Sequence, residues 1–71
     1  MSPRERECLL WASEGLTNVE ISELMGISER TVVYHFNHAC RKLNARNRQH
    51  AVTKAILSHR LSIPPRFLAP L

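Results

Sequence analysis

Residues 28–43, SERTVVYHFNHACRKL, carry two stripes that only a helix can separate. At roughly 100° per residue, Val32, Phe36, Ala39 and Leu43 share one narrow sector. Arg30, Tyr34, Asn37 and Arg41 share another, about half a turn away. The apolar stripe is a core seam. Such a helix needs other apolar helices to cover its seam, and the remainder of the 71-residue chain must supply them. A domain of this size hides only about 60% of its unfolded surface. One small core is therefore expected.

The flanking segments read as helices in order. Ser2-Pro3-Arg4-Glu5 is a capping box with proline at the first helical position, which predicts a helix over residues 3–14 closed by Gly15. Cys8, Leu9, Ala12 and Leu16 have core spacing, and Trp11 is expected at the core edge, partly buried. Thr17-Asn18-Val19-Glu20 is a second box and starts a short helix over 18–25, with Ile21, Leu24 and Met25 facing inward. Gly26 breaks it and Ser28 caps the next helix. A helix-turn-helix needs a small residue where its helices cross, a glycine in the turn and an apolar lock on the second helix. Ser22, Gly26 and Val32 meet those needs in that order.

Asn44 is a candidate left-handed residue after the third helix, and Asn47 caps a fourth over 48–59. Ala51 and Ala55 are small enough to let another helix backbone approach. Ala51, Val52 and Ala55 are therefore candidates for contact with a second copy, the alternative being a plain fourth core helix. Pro64 and Pro65 bar a continuous helix in the tail. The expected organisation is an all-α four-helix bundle over residues 1–61, containing a helix-turn-helix, and a proline-rich tail over 62–71.

Ten Lys and Arg stand against six Glu, and five of the six acids precede residue 24. From Arg30 onward there are eight basic residues and no acidic ones. Such a one-sign block marks a solvated or partner-facing surface. Cys8 and Cys40 sit among apolar residues and read as small buried hydrophobes in a reducing, cytoplasmic setting. No secretory signal follows Met1, and no stretch is long and apolar enough to span a membrane. His35, His38 and Cys40 lack the second pair that a zinc site requires, so no metal and no cofactor are expected. No nucleophile, base and orienter occur in recognisable spacing, nor a phosphate-binding glycine loop, which argues against an enzyme.

The outer stripe carries guanidinium, carboxamide and phenol groups, which hydrogen-bond phosphates and base edges. The third helix is accordingly expected in the major groove of double-stranded DNA. A protein-interaction module, binding a partner such as RNA polymerase through the third or fourth helix, is the rival reading.

The chain resembles the DNA-binding domain of LuxR-type transcriptional regulators. The resemblance rests on Ser2-Pro3-Arg4-Glu5 with Leu9, Gly15-Leu16-Thr17, Glu20-Ile21, Met25-Gly26-Ile27-Ser28, Thr31-Val32, His35, Lys42-Leu43, and Arg48 with Ala51-Val52. Trp11 and Glu29-Arg30-Thr31-Val32, with Tyr34 before His35, look most like the quorum-sensing branch. The resemblance implies a four-helix domain, a homodimer on a two-fold symmetric site, and a separate N-terminal domain that binds an acyl-homoserine lactone. That domain, a feature of the quorum-sensing members, is expected to be absent here, the chain being either a fragment of such a regulator or a free-standing one-domain member of the family. Two residues depart from the family pattern: Val33 replaces a common polar or basic reader, and Ser22 a common alanine.

On this reading Val33, Tyr34 and Asn37 face bases, with Asn37 suited to adenine and Val33 to a thymine methyl. Thr17, Arg30, Arg41, Lys42 and Arg48 are the phosphate candidates, Thr17 because it opens a helix N-terminus. Lys42 reads equally as a solvated surface charge. His35, near the core seam, is expected to be a structural, partly buried histidine.

Overall fold

The computed structural model describes residues 1–58, which form four helices: α1 (Pro3–Ser13), α2 (Asn18–Met25), α3 (Glu29–Leu43) and α4 (Arg48–Leu57). The bundle is all-α, as the sequence predicts. The boundary expected at residue 61 and the tail over 62–71 lie outside the described residues, as does residue 59 of the fourth helix.

Each helix starts where a capping side chain stands. The Glu5 amide donates to Ser2 Oγ (3.2 Å) and the Ser2 amide donates back to Glu5 Oε1 (3.1 Å). Thr17 and Glu20 form the same reciprocal pair. Ser28 accepts from the Thr31 amide and Asn47 from the His50 amide. These bonds satisfy amides that have no partner within their own helix. Gly15, Gly26 and Asn44 each have positive φ after a helix, at 85°, 67° and 55°. In all three cases the next residue's amide reaches back to a carbonyl five residues earlier. The chain thus reverses without leaving the last carbonyls bare.

α3 is the central helix and packs on α1, α2 and α4, while α1 also packs on α4. The core joins Cys8 and Leu9 of α1, Ile21 and Met25 of α2, Val32, Phe36 and Ala39 of α3, and Ala51 and Ala55 of α4. The predicted seam of α3 is therefore the buried one, with Leu43 at its partly buried end. Cys8 Sγ donates to Met25 Sδ at 3.6 Å. Burial, aided by the nearby Glu7 charge, pushes the Cys8 thiol up to about 11, so it stays protonated. Trp11 is half-buried at the core edge.

Three expectations on packing are corrected. Leu24 does not face inward; it is 57% exposed, because Ile21 and Met25 already fill the narrow buried face of so short a helix. Ala51 and Ala55 are 0% exposed. Their small size lets α4 approach α1 and α3 within the same chain, and no second copy can reach them. Of that trio only Val52 keeps some surface.

Candidate nucleic-acid interface

The helix-turn-helix is built from α2, the Gly26 turn and α3. Ser22 is buried where the two helices meet, and its hydroxyl donates to the Val19 carbonyl at 2.7 Å. That internal bond satisfies the one polar group that serine adds to the crossing. Val32 is fully buried and locks the start of α3. With α3 held from below by three helices, its outer surface is presented as one face. Arg30, Val33, Tyr34, Asn37 and Arg41 are all exposed. Arg30, Asn37 and Arg41 have no side-chain partner among the described residues. Their donors are therefore available to a ligand.

Tyr34 is more constrained than the stripe alone suggests. Its ring lies 4.2 Å from the His38 ring, tilted by 43°, and meets His35 edge-on at 5.6 Å. The phenol is thus held along the helix while the residue remains 55% exposed. His35 is half-buried, as expected, and its Nδ1 is buried without a hydrogen-bond partner.

Two of the phosphate candidates are occupied within the domain. Lys42 Nζ lies 2.8 Å and 3.2 Å from the two carboxylate oxygens of Glu5. The Glu5 side chain is only 6% exposed. Burial would push its carboxyl up, but the Lys42 bond and charge and the Ser2 amide outweigh it and hold it below the usual value. Arg48 donates to the Leu16 carbonyl at 2.8 Å and to Asn18 Oδ1, and its guanidinium lies over the Phe36 ring at 5.0 Å. It ties α4 to the start of α2. Both cations are engaged within the domain: Lys42 neutralises a buried carboxylate that otherwise has only the Ser2 amide, and Arg48 supplies the donor for the Leu16 carbonyl.

Thr17 stands exposed at the head of α2, yet its amide is taken by Glu20 Oε1 at 2.9 Å. The Thr17 amide and hydroxyl in turn lower the Glu20 pKa. The α2 terminus therefore already holds a carboxylate, on both the amide and the hydroxyl of Thr17.

A cleft of about 390 Å³ runs beside α3. Val33 and Asn37 line it from α3, Asn18 from α2, Arg46 and Asn47 from the loop after α3, and Arg48 from α4. Arg46 and Asn18 were not singled out from the sequence. Arg46 sits outside any helical stripe, and only the one-sign block after residue 30 pointed towards it.

Residues 1–55 match the profile of bacterial regulatory proteins of the luxR family. The chain belongs to that family. It is 53% identical over 57 residues to the transcriptional activator protein VanR of Vibrio anguillarum, covering 80% of this chain and 24% of the relative. It is 45% identical over 64 residues to the transcriptional activator protein LuxR of Aliivibrio fischeri, covering 90% of this chain and 26% of the relative. The solved structure of the transcription factor GerE superposes with a TM-score of 0.84 at 28% identity, covering 90% of this chain and 96% of that one. The chain thus spans about a quarter of the length of these curated relatives. The four helices are a LuxR-type helix-turn-helix DNA-binding domain, homologous to transcriptional activators such as VanR and LuxR. The luxR family is one of transcriptional regulators, not of enzymes.

Proposed function

We propose that α3 of this luxR-family domain lies in the major groove of double-stranded DNA and reads a specific sequence there. The observation that carries the reading is the outer face of α3. Arg30, Val33, Tyr34, Asn37 and Arg41 stand exposed together, while the opposite face is locked into the core. Asn37 bonds a base edge, a carboxamide pairing best with adenine. Val33 and Tyr34 make apolar and phenolic contacts with bases or sugar. Arg30 and Arg41, at the two ends of the stripe, hold phosphates on either side of the groove. Thr17 and the first amides of α2 add a phosphate contact at the head of that helix.

The domain acts as a homodimer on a two-fold symmetric site, each copy reading one half-site. With Ala51 and Ala55 in the core, the part of α4 left for the second copy is Val52 and its exposed neighbours. The regulator works in the bacterial cytoplasm, and RNA polymerase is its further partner. Any response to an acyl-homoserine lactone belongs to a segment outside these 71 residues. Among the described residues no helix is long and apolar enough to cross a membrane.

Selection from a random duplex pool tests this reading. Enrichment of paired, two-fold related half-sites is expected. Recovery of the input distribution would overturn it.

A further inference from the structure

We infer that Arg46 is a DNA-backbone contact, holding a phosphate at the mouth of the cleft between α3 and the start of α4. The inference rests on the major-groove reading of α3. Arg46 lies in the short loop between α3 and α4. That loop is pinned on both sides: the Ala45 amide donates to the Cys40 carbonyl at 2.8 Å, and Asn47 caps α4. The Arg46 amide itself donates to His50 Nδ1 at 3.0 Å. The backbone is therefore fixed, yet the residue is exposed and its guanidinium has no partner among the described residues.

The position of Arg46 relative to the reading face gives the inference its direction. Arg46 lines the same cleft as Val33 and Asn37, from the loop that follows α3. A duplex whose base edges met Val33 and Asn37 would bring the strand bordering the groove against Arg46. No acidic side chain lines that cleft. The other cation lining it, Arg48, already bonds Leu16 and Asn18. Arg46 is thus the free guanidinium of the cleft, and a planar fork of donors is matched to a phosphodiester.

The test compares the 71-residue chain with Arg46→Ala and Arg46→Lys. Binding is titrated against salt on a mixed-sequence duplex and on a duplex enriched from a random pool by the unmodified chain. Arg46→Ala should lose about 0.9 units from the slope of log affinity against log salt. Its affinity should fall by the same factor on both duplexes, and Arg46→Lys should keep most of the slope. The thermal midpoint of Arg46→Ala should match that of the unmodified chain. If the unmodified chain binds with a steep salt dependence and Arg46→Ala keeps the full slope, this inference alone falls. A loss confined to the enriched duplex at unchanged slope would make Arg46 a base reader and overturn the phosphate assignment. If the unmodified chain shows no salt-dependent duplex binding, the major-groove reading falls and this inference with it.

Discussion

Lys42 Nζ rests 2.8 Å from Oε1 of Glu5, joining the last turn of α3 to the first turn of α1. The pair is asymmetric, since the carboxylate is almost wholly buried and the ammonium about half exposed. Lys42→Ala would leave a buried carboxylate facing no cation. We expect a loss of about 1–3 kcal/mol in chemical denaturation, with the salt slope of DNA binding unchanged. A lost unit of slope would return Lys42 to the phosphate contacts.

The same pair sets a pH dependence. Folding lowers the Glu5 pKa, so the unfolded chain binds more protons than the folded one in acid. The pair's contribution is complete above the ordinary carboxylate value and is lost as pH falls through the lower folded value. Stability should therefore fall more steeply below about pH 5 in the unmodified chain than in Glu5→Gln. Parallel stability curves for the two would remove Glu5 as the acid-sensitive group.

Arg48 reaches the Leu16 carbonyl and Asn18 from the first turn of α4. Arg48→Ala should destabilise the domain by about 1–3 kcal/mol, because the Leu16 carbonyl loses its donor and Phe36 its cation. Hydrogen exchange at the head of α2 should quicken. An unaltered melt with a lower salt slope would instead mean that Arg48 faces phosphate.

Asn37 and Arg41 sit one helical turn apart on the outer face and should fail differently. Asn37→Ala is expected to lose about 1–3 kcal/mol on the selected site and to relax preference at one base position. Arg41→Ala should weaken specific and scrambled duplexes alike and take about one unit from the salt slope. Equal loss on both duplexes for Asn37→Ala would show that it is not a reader.

Gly26 holds φ of 67° between α2 and α3, and a Cβ placed there meets no atom within 4 Å. The effect of Gly26→Ala is therefore conformational alone, about 1–2 kcal/mol. Gly26→Asn should be milder, since asparagine tolerates the left-handed region. Equal melting of all three chains would mean that the turn relaxes to another conformation.

The helices were legible because their signals are local. Ser2, Thr17, Ser28 and Asn47 each mark a start within three residues of the amide they cap. The core seam of α3 was legible for the same reason, as its period lies within one helix. What escaped depends on distance along the chain. Glu5 meets Lys42 across 37 residues and Arg48 meets Leu16 across 32, so no periodicity announces that these cations are used internally. Ala51 and Ala55 show the same limit. Small residues reveal that a helix packs closely, but not whether the neighbour is its own chain or another. Leu24 was misjudged because an eight-residue helix can bury only a narrow face.

If α3 lies in the major groove, its outer row must touch DNA. Adding a duplex selected from a random pool to the isotopically labelled chain, and following its amide and side-chain resonances, tests this directly. The largest changes are expected at Arg30, Val33, Tyr34, Asn37 and Arg41, including the Asn37 carboxamide, with the buried Cys8 and Leu9 of α1 almost still. Changes concentrated on Leu24 or Val52, with the α3 row unmoved, would contradict that placement of α3.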